Sequence, residues 1–393
     1  MLCSNGYVKA HGTDESPDWG FYSHRLINKY AVFTLPAEMM PLFKRQIKYM
    51  EENAINPDKR RYATKFEAIR HYIDIDHWGT YPFEDLPRKF DEALLKYAEF
   101  RILDSSGDTI TLTKESSGDT VTFHTTENLE FRIHSSSLKK FFKKHIMPQY
   151  YEDIWVVDKS VVCDYFELNN RLDFKQMIVQ DKFSDYGVLP YYLVEGLAKL
   201  TKAFERQDER EILRHAADLG HYIGDAHVPL HTTANYNGQL TDQVGIHAFW
   251  ESRIPELFAE KGFDFFVGKA TYIHDPEQYF WDIVLQSHSL VDSVLMVEKQ
   301  LSLIFPSDQQ WCYDERLGQT VRIQCREYAE AYNNALNGMI EDRMAANMLA
   351  IGNIWYTAWV NAGQPDLDKL EPQIIEPEII KPNPNLVVRP HED

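Results

Sequence analysis

His221 and Asp225 stand four residues apart, as do His247 and Glu251, and His231 lies between the two pairs, two places after Pro229. Four residues is about one helical turn, so each pair presents its two side chains on the same side. Imidazole nitrogen and carboxylate oxygen are donors that zinc accepts, and a zinc ion with an open position makes water a nucleophile near neutral pH. These residue types at this spacing point to a metal-dependent hydrolase.

The elements that must position these residues are mostly helical. Apolar residues recur at helical spacing over 26–53, 64–73, 84–100, 188–204, 208–225, 247–259 and 276–305, and a last long helix is expected over about 322–360. In the helix over 208–225, Ile212, Ala216, Leu219 and Ile223 form the apolar stripe. His221 and Asp225 fall on a different face together with Asp218, which reads as a solvated carboxylate. One stretch breaks the pattern. Over 101–135, two Ser-Ser-Gly-Asp-Thr turns are each followed by a short alternating run, Ile110-Thr-Leu-Thr and Val121-Thr-Phe-His, as hairpins require. The segment 136–186 is mixed and carries Lys139, Lys140, Lys143 and Lys144, expected to form a solvated helix face. Beyond residue 364 prolines recur without helical period, so 364–393 is expected to be an extended tail outside the domain.

Composition bounds the alternatives. A chain of 393 residues, 44% hydrophobic and 13% aromatic, can bury a sizeable core. A net charge of −19 gives no basic footprint for coating a long nucleic acid. No apolar run reaches the 18 residues of a membrane span. The four cysteines, Cys3, Cys163, Cys312 and Cys325, contain no C-x-x-C pair. Cys312 and Cys325 are open to one disulfide in an oxidising compartment or to two free thiols. Val8-Lys9-Ala10 has the small residues of an export-signal cleavage site without the preceding apolar segment. Residues 1–18 are therefore expected to be the remnant of such a signal, in a secreted or periplasmic protein, or a disordered N-terminus.

Further ligand-type residues stand upstream: Trp19-Gly-Phe-Tyr-Ser-His24, Asp58-Lys59-Arg60-Arg61, and Arg70-His71-Tyr72-Ile73-Asp74-Ile75-Asp76-His77. With the central motifs these give Trp-x4-His, Asp followed by His-[Phe/Tyr]-x-Asp, His-x3-Asp-x5-His and a final His-x3-Glu. In these residues the chain resembles the superfamily of bacterial zinc-dependent phospholipases C and fungal and plant zinc-dependent single-strand nucleases. The resemblance spans about 19–363, with an insert at about 101–181. It implies a mainly α, multi-helix domain carrying a small β-rich insert and a cluster of three zinc ions. By resemblance, Asp58, His71, His221 and Asp225 hold the first ion, Asp225 bridging to a neighbour. His231, His247 and Glu251 hold the second, and His24, Asp225 and the main-chain nitrogen and oxygen of Trp19 hold the third. Asp76, His77 and His227 are left to supporting roles. The resemblance further implies that Asp58 orients or deprotonates the zinc-activated water that attacks phosphorus, while Arg61 is a candidate for a substrate phosphate oxygen because guanidinium fits that contact.

Two departures matter. In the family the tryptophan is the mature N-terminus and its free amine is a ligand, whereas here eighteen residues precede Trp19. Either trimming exposes Trp19, or the third site is built differently, with His11 as a candidate contributor, or it is weak. Lys59 and Ala68 also replace the aromatic residues with which choline-preferring phospholipases hold a quaternary ammonium. The His231–His247 spacing, Thr233-Ala234-Asn235-Tyr236 and Glu251 look phospholipase-like, while Asp58-Lys59-Arg60-Arg61 and Trp250 lean toward the nucleases. The leading expectation is a phospholipase C-like phosphodiesterase acting on a phospholipid whose headgroup the sequence leaves open. The alternatives are a single-strand nuclease or 3′-nucleotidase, acting on single-stranded nucleic acid or a nucleotide, and a non-catalytic exported zinc-binding protein.

Overall fold

The computed structural model describes residues 21–125, 130–149, 152–168, 174–316, 319–370, 378–383, 385 and 386. Trp19, the signal-like N-terminus and much of the proline-bearing tail lie outside the described residues. The chain divides into two compact units, one formed by Met1–Phe83 with Gly187–Asp393, the other by Glu84–Tyr186.

In the first unit the helices that matter for the histidines and carboxylates are α1 (Phe21–Ala31), α2 (Asn56–Arg61), α3 (Leu189–Arg206), α4 (Glu209–His227), α5 (Pro276–His288) and α6 (Met339–Asn361). Helix α4 is the hub, with α1, α3, α5 and α6 packed against it. It starts where Asp208 accepts a hydrogen bond from the Glu211 amide at 3.2 Å, which satisfies one of the free donors of its first turn. From Leu219 to His227 every residue of α4 is buried, so polar residues there are enclosed along with the apolar ones. The Trp355 indole of α6 donates to the Ala216 carbonyl at 3.0 Å and locks the two helices in register.

Gly220 and Gly224 let α1 approach. A methyl group on Gly220 would stand 2.2 Å from the Asn28 amide oxygen, and one on Gly224 would stand 2.8 Å from His24 Nδ1. Both distances are well inside van der Waals contact, and His24 is itself buried, so its ring has little room to yield. The Gly224→Ala variant is expected to fold with a loss of about 1–3 kcal/mol and to displace the His24 ring from its carboxylate partners. Elemental analysis should then find less bound metal per chain, while an unchanged metal content would show that the ring accommodates the methyl in place.

Several long periodic stretches are broken. The stretch 276–305 parts at Ser289 and Leu290 into α5 and Val291–Ile304. The stretch 322–360 opens as a strand, and Gly338, at φ 82°, separates Arg326–Ala335 from α6. Apolar periodicity persisted across these breaks because the consecutive helices bury similar faces. No helix among the described residues is long and apolar enough to cross a membrane.

The second unit corrects the expectation of a mainly α protein with a small β-rich insert. It holds a seven-stranded antiparallel sheet in the order β5-β7-β1-β2-β3-β4-β6, which makes the protein α+β. The strands are β1 (Glu99–Asp104), β2 (Thr109–Ser117), β3 (Thr120–His124), β4 (Glu130–His134), β5 (Ile154–Asp158), β6 (Glu167–Leu168) and β7 (Phe174–Gln180). Only β2, β3 and β4 lie where alternation was plain. Strand β1 looked like the last turn of a helix over 84–100, whose helical part is only Phe90–Tyr97. Strands β5 and β7 are short, and their apolar residues, Trp155, Val157, Phe174, Met177 and Val179, reveal a common buried face only when β7 pairs with both β5 and β1. The Ser135–His145 helix and the Lys159–Tyr165 helix pack on the sheet and bury Leu138, Phe141, Phe142 and Val162. The lysines Lys139, Lys140, Lys143 and Lys144 occupy the exposed side of the first of these helices.

In the first unit, Trp311–Arg316 and Gln319–Gln324 form a separate hairpin, and Cys312 and Cys325 are joined by a disulfide. Cys163 is free and exposed.

Candidate metal centre

Five imidazoles and three carboxylates converge inside the first unit. His24 comes from α1, Asp58 from α2, His71 from the turn after the Lys65–Ala68 helix, and His221 and Asp225 from consecutive turns of α4. His231 follows in the short 3-10 turn Pro229–Thr232. His247 sits in the turn Ile246–Ala248, and Glu251 lies in the π-helical turn Phe249–Arg253 just beyond it. None of the eight is more than 4% exposed. The widened turn re-aims Glu251 relative to His247, a use to which π turns are commonly put at functional sites.

The geometry resolves into three groups. In the first, His71 Nδ1 lies 3.0 Å from Asp225 Oδ2, 3.1 Å from His221 Nε2 and 3.6 Å from Asp58 Oδ1. His221 Nε2 completes the set at 3.4 Å from Asp225 Oδ2 and 3.6 Å from Asp58 Oδ1. Tetrahedral zinc with donors at about 2.0–2.1 Å separates them by about 3.3–3.4 Å, so His71 Nδ1, His221 Nε2 and Asp225 Oδ2 stand at the separation of donors to one ion, with Asp58 at their edge, where it also groups with His24 and His221. In the second, His247 Nε2, His231 Nε2 and Glu251 Oε2 lie 2.9–3.4 Å from one another. In the third, His24 Nε2 lies 3.3 Å from Asp225 Oδ1 and 3.2 Å from Glu251 Oε1. Asp225 thus divides its two oxygens between the first and third groups, and Glu251 divides its own between the second and third.

The chemistry of the donor set favours a cation over a hydrogen-bond network. His221 Nδ1 faces the Ala54 carbonyl at 2.8 Å, His231 Nδ1 the His71 carbonyl at 2.6 Å and His247 Nδ1 the Tyr236 carbonyl at 3.0 Å. A carbonyl can only accept, so each Nδ1 carries the proton and each neutral ring turns its Nε2 lone pair inward. His231 Nε2 and His247 Nε2 then meet lone pair to lone pair at 3.3 Å, beside a carboxylate. Such an arrangement is repulsive unless a positive charge lies between the atoms. The titration directions agree. Burial and the neighbouring His24 push His221 far below its ordinary range. Burial, reinforced by Asp58 and Glu251, drives Asp225 well above the usual carboxylate range. For His24 burial acts downward, but Glu251 and Asp225 overcome it and lift the ring to about 9. Buried groups of the described protein can therefore hold metal ions in several overlapping sets.

Every described residue named as a ligand from the sequence is present in this cluster, and Trp19 lies outside the described residues. The second oxygen of Glu251 was missed as a donor to the third group. No spacing in the sequence could disclose it, because it depends on the approach of α1. The three carbonyls that orient the histidines are likewise backbone groups with no residue-type signature. Arg61 is buried, with Nη1 3.7 Å from Asp58 Oδ1. Its Nε and Nη1 have no hydrogen-bond partner among the described residues. Asp76 accepts from Thr233 Oγ1 at 2.6 Å and from the Ala234 amide at 3.1 Å, so it fixes the loop after His231. Asp218 is not a solvated carboxylate: Arg60 Nη2 holds it at 2.9 Å.

His227 ends α4 without joining the cluster. Its Nδ1 donates to the Ile223 carbonyl at 2.8 Å, and burial, with Arg343 nearby, holds it well below the ordinary histidine range. As pH falls below about 6.5 the unfolded chain protonates this histidine and the folded chain does not, so stability is lost by up to about 1.4 kcal/mol per pH unit. In the His227→Asn variant, melting temperatures recorded from pH 7 to pH 5 are expected to fall less steeply than in the wild type. Identical slopes would remove His227 from the account of acid lability.

No family model matches this chain, and no curated protein is significantly similar to it.

Proposed function

We propose that the protein is a zinc-dependent hydrolase of phosphate esters, acting as a phospholipase C-like phosphodiesterase with three zinc ions held by His24, Asp58, His71, His221, Asp225, His231, His247 and Glu251. The observation that carries this reading is the inward convergence of histidine lone pairs on carboxylates that are shared between adjacent groups. Carboxylates shared in this way would hold neighbouring ions close together, as two-metal phosphoesterases require. Bound zinc supplies Lewis acidity toward a phosphoryl oxygen and lowers the pKa of water.

The chain's own residues do the remaining work. Asp58, at the edge of the first group, orients the attacking water and accepts its proton. Arg61, ion-paired with Asp58 at 3.7 Å, holds a phosphoryl oxygen through Nε and Nη1, which make no hydrogen bond to a described residue. The Ala54, His71 and Tyr236 carbonyls keep three imidazoles in the tautomer that binds metal. One feature that leaned toward a nuclease lends it less support in the fold: Arg60 turns away from the cluster to Glu67, Asp218 and Glu378. The Cys312–Cys325 disulfide accords with export to an oxidising compartment.

Hydrolysis of bis(p-nitrophenyl) phosphate, abolished by a chelator and restored by zinc, is the expected result, with at least one of phosphatidylcholine, phosphatidylethanolamine and phosphatidylserine turned over faster than single-stranded DNA or a 3′-nucleotide. Chelator-insensitive turnover would overturn the metal mechanism. Preference for DNA or the nucleotide would move the assignment to the nuclease branch, and no turnover of any of these would favour the non-catalytic zinc-binding protein.

A further inference from the structure

The sheet-bearing unit contains a cavity of about 410 Å³ between the Phe90–Tyr97 helix, strands β2 and β3 and the start of the Ser135–His145 helix. Three lysines line it, Lys96, Lys114 and Lys139, against one carboxylate, Glu92. In a chain of net charge −19 this is a local excess of positive charge.

The partners of the three ammonium groups differ. Lys139 pairs with Glu92 at 2.9 Å. Lys114 donates to the Leu95 and Lys96 carbonyls, both at 2.7 Å, and Lys96 donates to the Asp85 carbonyl. Carbonyl oxygens satisfy hydrogen bonds but carry no formal charge, so Lys96 and Lys114, which line one cavity, have no carboxylate among these partners. Burial first, and Lys96 second, push Lys114 down to about 8, the direction that an anion between them would reverse. Leu95, Val121 and Leu138 give the same cavity an apolar wall, and its volume lies within the range of small-molecule sites.

We infer that this cavity binds a small dianionic phosphate monoester whose phosphoryl group sits among Lys96, Lys114 and Lys139 and whose apolar body lies on Leu95, Val121 and Leu138. Two ammonium groups whose hydrogen bonds go to neutral carbonyls match a dianion, and the apolar wall matches an aryl or alkyl stem better than a free inorganic ion. The site belongs to the second unit and does not depend on the metal centre.

Isothermal titration calorimetry of the full chain at neutral pH with phenyl phosphate, inorganic phosphate and phenol tests this. Phenyl phosphate should bind the wild type more tightly than inorganic phosphate does, and phenol should not bind. Affinity should fall roughly tenfold or more in Lys96→Gln/Lys139→Gln, since each charge-assisted contact is worth about that factor. Both residues are exposed, so the fold is kept. Lys114→Met should act the same way. If it fails to fold for want of its contacts to the helix carbonyls, the double variant decides. Asp58→Asn should leave the lysine-dependent binding unchanged. Absence of binding, or equal affinity in the wild type and the double variant, would overturn the inference. Binding lost in Asp58→Asn but kept in the lysine variant would assign the probe to the metal centre and overturn it equally. Equal affinity for phenyl phosphate and inorganic phosphate would remove the apolar wall from the site.

Discussion

Asp225→Ala should strip the protein of most of its bound metal and lower its unfolding free energy by about 3–5 kcal/mol, the cost of leaving buried partners uncompensated. The Asp225 carboxylate faces four imidazoles. Its Oδ2 closes the group of His71 and His221, and its Oδ1 reaches His24 at 3.3 Å and His231 at 3.8 Å. Removing it leaves imidazoles facing one another inside a helix bundle, with a cavity where the carboxylate stood and less negative charge to retain cations. The position near the end of α4 matters as well, because the carboxyl end of a helix favours positive charge. Denaturant unfolding with elemental analysis of the same sample checks both effects. Wild-type metal content together with wild-type stability would show that Asp225 does not bridge anything.

Asp58→Asn is the second large effect, expected mainly on turnover. Asparagine keeps the shape and one oxygen of the side chain but cannot accept a proton near neutral pH. Turnover of bis(p-nitrophenyl) phosphate is expected to fall by about 10²–10⁴, the usual contribution of a general base, with KM changed far less. Asp58 lies at 3.6 Å from both His71 Nδ1 and His221 Nε2, on the rim of its group. Some weakening of metal binding is therefore expected, and added zinc should restore occupancy without restoring rate. Recovery of full turnover with zinc would make Asp58 a ligand only.

The central helix was legible because two independent signals agreed there: an apolar stripe through Ile223, and His221 and Asp225 one turn apart on another face. His247 and Glu251 were legible by the same spacing, although the π turn that widens it was not, since a π turn has no composition of its own. Asp58, His71 and His24 came from separate segments whose convergence the resemblance implied and no local pattern could. The sheet was the main loss. Strands such as β5 and β7 become recognisable when paired across long stretches of chain, and β1 borrowed the periodicity of the helix before it. Asp218 was misread for a related reason: Arg60, which holds it, is far away in sequence.

The most direct measurement is the metal content of the full chain, purified without chelator and dialysed, by plasma mass spectrometry before and after chelation. Two to three zinc per chain is predicted, with chelation lowering the melting temperature and zinc restoring it, because binding energy at such a site is folding energy. A metal-free chain that melts at the same temperature with and without chelator or added zinc would contradict the metal centre itself.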